Sequence, residues 1–190
     1  FDKCYADTLS NMQVWWNSSP YRDANIYIGG VNRGCPYQPD LSATWVSQVS
    51  AMGWGLIPTW VGPQAPCTSC TSCSRMSSDP TTAEAQAVAE AANASAVAAS
   101  LSLGQTVIYY DMERYDGDAV CRGAVNAFVN GWVRELRARG HVAGVYGSPA
   151  NALDWAGVAN PPDAVWIAKW DNRETVWGLS PLPDSLWVNH

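Results

Sequence analysis

The sequence predicts an α/β fold of the (β/α)8 barrel type, and three observations predict it. Strand-like and helix-like segments alternate from one end of the chain to the other, the pattern of βαβ units and a parallel sheet. The first strand is followed by Asp2-Lys3-Cys4-Tyr5-Ala6-Asp7, unlike the glycine-rich phosphate loop of an open doubly wound sheet. The fourth strand, Val107-Ile108-Tyr109-Tyr110-Asp111-Met112-Glu113, ends in two acids, where a barrel keeps its chemistry.

The elements follow in order. Phe1 to Cys4 reads as the end of a first strand. Leu9 to Asn17 reads as a helix that starts near Asp7 or Thr8. Ala24 to Gly30 is a second strand closed by glycines. Asp40 or Ser42 can cap a helix that runs to about Met52. Trp54 to Trp60 is a third strand, and a loop with three cysteines runs from Val61 to about Thr82. Thr81 or Thr82 then caps an Ala-rich helix through Leu103, with Gly104 as its stop. Gln105 to Glu113 is the fourth strand. Asp118 to Arg139 is a long amphipathic helix with Val125, Phe128, Val129, Trp132, Val133 and Leu136 at helical spacing. Val142 to Gly147 is the fifth strand, Pro149 to Trp155 a short helix, and Ala164 to Trp170 the sixth strand. A seventh strand is expected near residues 186–190. Seven strands suit a small barrel that is incomplete at its C-terminal end. Residues 1–190 are expected to be a single domain, and the abrupt start at Phe1 and stop at His190 predict a longer parent chain.

Composition narrows the partners. The formal net charge is −6 and the pI about 4.7, which excludes nucleic acid because phosphate binding needs a basic footprint. No Lys/Arg cluster offers a hold on an anionic membrane, and the apolar runs are too short to insert into one. A monomer is expected. Eleven Trp and eight Tyr stand against two Phe. Trp and Tyr join an apolar face to a polar handle, which suits sugar rings with their C–H faces and hydroxyls. Cys4, Cys35, Cys67, Cys70, Cys73 and Cys121 read as disulfides of a secreted, extracellular protein, with the pairing left open. Cys67-x-x-Cys70-x-x-Cys73 has the spacing of a metal knuckle, but no His lies near it. No metal and no cofactor are expected. Two histidines give little support to a Ser-His-Asp arrangement or an imidazole metal site.

The acids carry the functional reading. Residues two apart on a strand share a face, so Asp111 and Glu113 point the same way. They lie ~6.6 Å apart along the backbone by strand rise. Like charges that close raise one pKa, and a carboxylic acid beside a carboxylate is the equipment of glycoside cleavage. In a barrel the same rim gathers Asp2, Trp60, Tyr146, Trp170 and Asp171 from other strand ends. Disulfides at that rim would staple long loops over the site.

Phe1-Asp2, Ile26-Tyr27-Ile28-Gly29-Gly30, Ile57-Pro58-Thr59-Trp60, Tyr109-Tyr110-Asp111-Met112-Glu113, Gly144-Val145-Tyr146-Gly147-Ser148 and Trp166-Ile167-Ala168-Lys169-Trp170 resemble a bacterial glycoside-hydrolase-like family. That family was long known only as domain of unknown function 1906, and it is related to the glycoside hydrolase family 25 lysozymes. The resemblance implies a secreted barrel from an actinobacterium or similar organism that acts on, or binds, a cell-wall polysaccharide. It implies Glu113 as general acid, Asp111 as stabiliser of positive charge, and Asp2 as the group that tunes them or orients substrate. Tyr109, Tyr146 and Trp170 would shape the sugar subsite, with Trp60 and Asp171 beside them. A carbohydrate-binding pseudoenzyme of the cell envelope is the alternative that the resemblance leaves open. The cysteine-rich loop 61–82 departs from the lysozyme pattern.

Overall fold

A computed structural model describes residues 1–173 and 175–186. It is an α/β structure whose five strands form one parallel sheet: β1 (Asp23–Gly29), β2 (Gly55–Trp60), β3 (Val107–Asp111), β4 (Val142–Gly147) and β5 (Ala164–Ile167). The helices are α1 (Leu9–Ser18), α2 (Ala43–Ala51), α3 (Pro80–Ser100), α4 (Ala119–Ala138) and α5 (Pro149–Trp155). The strands lie in chain order, β1-β2-β3-β4-β5, without reversal. A doubly wound sheet reverses its order at a switch point. In a parallel sheet wound in one direction, the usual right-handed crossovers put successive helices on one side.

The two faces of the sheet differ accordingly. Ile26, Ile28, Trp60, Ile108, Tyr110, Met112, Ala143 and Val145 are buried on the helix side. Tyr110 packs edge-on against Phe128 and Trp132 of α4, with ring centroids at 4.9 and 5.0 Å. The opposite face carries Asn25, Tyr27, Thr59, Tyr109, Asp111, Tyr146 and Trp166. Tyr27, Tyr109, Tyr146 and Trp166 are only half-buried there. Gly144 permits that layer, because a Cβ on it would meet the Tyr109 ring at 2.5 Å.

Small residues bring α3 close to α4. Ala83, Ala87, Ala91, Ala94 and Ala98 form one fully buried stripe at helical spacing. A Cβ on Gly131 would lie 2.8 Å from the Glu84 carbonyl. The cap of α3 is Asp79, not Thr81 or Thr82. The Asp79 carboxylate accepts from the Thr82 amide at 2.8 Å and its hydroxyl at 2.7 Å, with Pro80 at the first helical position. The helix ends at Ser100 rather than Leu103, and Ser102 (φ 57) takes the left-handed turn before Gly104 (φ 64).

Three predicted strands fare differently. Residues 1–4 are no strand, yet they lie beside β1. The Phe1 carbonyl accepts from the Asn25 amide at 2.9 Å, and its amino group donates to the Asp23 carbonyl at 2.6 Å. One such rung is too little for a ladder. The strand expected near 186–190 falls outside the described residues, save Leu186, which ends a 3-10 turn (Asp184–Leu186). The sixth predicted strand stops at Ile167, short of Trp170.

The six cysteines pair as Cys4–Cys35, Cys67–Cys121 and Cys70–Cys73. The knuckle spacing therefore serves disulfides. No helix among the described residues is long and apolar enough to cross a membrane.

Candidate active site

The site grows from the end of β3. Asp111 pairs across the sheet with Tyr146 of β4, and the next amide, Met112, still donates to the Tyr146 carbonyl at 3.1 Å. Strand alternation therefore continues just past the last strand residue, and Asp111 and Glu113 line one cleft. They differ in exposure: Asp111 is 8% exposed, and Glu113 is open to solvent.

That burial fixes the proton. The Asp111 carboxyl is pushed up from 3.8 to about 7. Loss of water around it is the largest cause, followed by the negative charges of Glu113 and Asp2 and a hydrogen bond with Glu113. Its Oδ1 is buried with no protein partner among the described residues.

The third acid arrives from the chain start. Asp2 Oδ1 accepts from Asn25 Nδ2 at 2.9 Å, and its Oδ2 accepts from the Tyr27 hydroxyl at 3.1 Å. Asn25 is buried and is itself held, because Thr59 Oγ1 donates to its Oδ1 at 2.6 Å. The Cys4–Cys35 disulfide anchors the segment two residues further on.

Tyrosines surround the acids. Burial, then the charges of Glu113, Asp111 and Asp2, push the Tyr146 hydroxyl up to about 12. Burial, then Asp2, raises Tyr27 as well, and burial alone raises Tyr109. All of them stay protonated as hydrogen-bond donors at ordinary pH. Trp166 packs edge-on to Tyr109 and Tyr146, with centroids at 5.9 and 5.2 Å.

Two clefts meet at Glu113. One, about 500 Å³, holds Asp2, Lys3, Tyr27, Asn32, Gln64 and Asp111. The other, about 470 Å³, holds Arg114, Tyr146, Ser148, Lys169, Trp170 and Pro181. Trp170 is fully exposed on that wall. Asp171 pairs with Lys169 at 3.4 Å and accepts from the Arg173 amide at 3.1 Å, which makes it a support of the turn.

Asp2, Asp111, Glu113, Tyr146 and Trp170 line the two clefts, Tyr109 and Asp171 line neither, and Trp60 lies elsewhere. It is buried on the helix side, where its indole N–H donates to Glu90 Oε2 of α3 at 2.5 Å. The reason is alternation: Thr59, its neighbour, takes the inner face and pairs with Tyr109. Sequence reasoning missed Asn25, Tyr27, Thr59 and Trp166. Asn25 and Thr59 left a signal, as polar groups within apolar strands need partners. It also missed Gln64, which follows β2 in the cysteine-rich loop. The Gln64 side chain accepts from the Glu113 amide at 2.8 Å and donates to the Asp111 carbonyl at 2.8 Å.

A parallel α/β sheet with a cluster of acids and tyrosines at its strand ends has the form of a glycoside-hydrolase-like domain. The family model described as "Rv2525c-like, glycoside hydrolase-like domain" matches residues 13–190, and the chain belongs to that family. It is the group its strand-end motifs resemble. Asp2 precedes the matched residues. No curated protein matches the chain. A solved structure of an uncharacterised B. stearothermophilus protein is similar in fold, with a TM-score of 0.61 at 16% identity over 89% of this chain and 73% of that one.

Proposed function

We propose that the protein is a secreted glycoside hydrolase of the cell envelope, built on a (β/α)8-type barrel, that cleaves a peptidoglycan or related polysaccharide. The observation that carries this reading is the acid pair at the end of β3. Asp111 holds a proton to about pH 7, while Glu113 stands exposed where two clefts meet. Glu113 is the general acid, since only an accessible group can reach a glycosidic oxygen. Asp111 shares its proton with Glu113 through their hydrogen bond and, once ionised, stabilises positive charge at the reacting carbon. Asp2, held by Asn25 and Tyr27, orients substrate, and Tyr109 and Tyr146 donate to sugar hydroxyls. Trp170 offers a face for a sugar ring on the far side of Glu113. Three disulfides support an oxidising, extracellular setting.

Trp170 also favours a second reading. A fully exposed aromatic platform serves glycan binding by itself, without turnover. Digestion of a panel of peptidoglycan, arabinan and galactan with mass detection, beside a lysozyme control, separates the two. New fragments with new reducing ends support the hydrolase. Saturable binding without fragments supports the pseudoenzyme.

A further inference from the structure

We infer that Gln64 is a positioning residue of the acid pair, whose carboxamide sets the backbone that carries Asp111 and Glu113. The inference rests on the glycosidase reading above for its effect on turnover, but not for its geometry. β2 and β3 pair only as Thr59↔Tyr109 and Trp60↔Tyr110. β2 has then ended, and the backbone groups of β3 beyond Tyr110 face no strand on that side. Gln64 takes the missing place. Its Nε2 donates to the Asp111 carbonyl at 2.8 Å and the Gly62 carbonyl at 3.2 Å, and its Oε1 accepts from the Glu113 amide at 2.8 Å. A carboxamide has the shape and polarity of a peptide group, so one side chain continues the ladder by one rung. The three bonds also fix which end is oxygen, since a flipped amide would set oxygen against two carbonyls.

The residue is built for this place. Gln64 is 1% exposed, and a buried amide left unbonded is costly. Its own backbone is held on both sides: its amide donates to the Ser74 carbonyl at 2.9 Å, and its carbonyl accepts from the Met76 amide at 2.9 Å. The loop that contains it is closed by Cys70–Cys73 and tied to α4 by Cys67–Cys121. A further bridge joins Thr68 to Tyr115, just past Glu113. The cysteine-rich loop is therefore a brace for the strand end. Small displacements of a reacting group are enough to lower a rate strongly.

Gln64→Glu and Gln64→Ala test the inference. Ionised Glu keeps the shape and the acceptor and loses the donor. In both variants, kcat on the cleaved glycan is expected to fall by at least about tenfold, with KM within about threefold. The Asp111 carboxyl, followed by ¹³C NMR, is expected to titrate at least half a pH unit away from wild type. A folded Gln64→Glu with unchanged kcat and unchanged titration overturns the inference. If the wild-type protein cleaves no glycan, the hydrolase reading alone fails and the titration decides: a moved midpoint supports positioning, and an unmoved one refutes it. If Gln64→Ala does not fold, Gln64→Met, uncharged and of similar length, decides by the same readouts. Unfolding of all three variants assigns Gln64 to the fold and also overturns it.

Discussion

The Tyr27 hydroxyl donates to Asp2 Oδ2 at 3.1 Å. With the Asn25 amide on the other oxygen, this contact brings an acid from the chain start to a site built on the middle of the sheet. Tyr27→Phe removes one hydrogen bond and leaves the Asn25 contact. Stability is expected to fall by about 1 kcal/mol. Glycan turnover should fall by a factor of roughly 2 to 10, the range of one such bond. Urea unfolding and initial rates check both values, and an unchanged rate would remove Asp2 from the account.

The raised Asp111 carboxyl makes a signed prediction about stability. In the unfolded chain Asp111 ionises near 3.8, and in the fold near 7. Between those values the folded state binds more protons, so this group makes stability fall as pH rises, and its effect levels off above about pH 7. Asp111→Asn removes that penalty. The variant should match wild type below about pH 4 and exceed it at pH 8, by at most on the order of 4 kcal/mol. Denaturant melts at the two pH values measure the difference. Equal gaps at both would show that Asp111 ionises normally in the fold.

The Cys67–Cys121 disulfide closes a loop with a sequence separation of 54. Loop-closure entropy assigns it about 4 kcal/mol. A Cys67→Ser/Cys121→Ser double variant should therefore show a clearly lower thermal midpoint. Its turnover should fall further than that of Cys70→Ser/Cys73→Ser, whose disulfide has a sequence separation of only 3. Calorimetry and rate assays on both variants check the order.

The alternation of elements made the sheet legible, because each helix has an amphipathic or Ala-rich pattern and each strand an apolar run. The boundaries followed local chemistry, as with Thr8, Ser42 and Asp118, which cap α1, α2 and α4. The acids were legible because Asp111 and Glu113 sit two apart at a strand end. Trp60 was misplaced because a strand end alone does not say which face a side chain takes; its neighbour Thr59, bonded to Asn25, decides that. The disulfide pairing and the Gln64 brace were out of reach for another reason. Both depend on how a long loop folds back over its neighbours, and Gln64 meets Glu113 across 49 positions. No local pattern encodes such a meeting.

The central claim is that Glu113 gives a proton to a glycosidic oxygen. Glu113→Gln keeps the shape of an exposed side chain and removes the proton. With an envelope polysaccharide as substrate, reducing-end release by wild type and variant tests it most directly. Wild type is expected to release reducing ends at a rate that declines as Asp111 loses its proton near pH 7. A loss of about 100-fold or more is expected in Glu113→Gln, with an unchanged thermal midpoint. Undiminished release by the folded variant would contradict it.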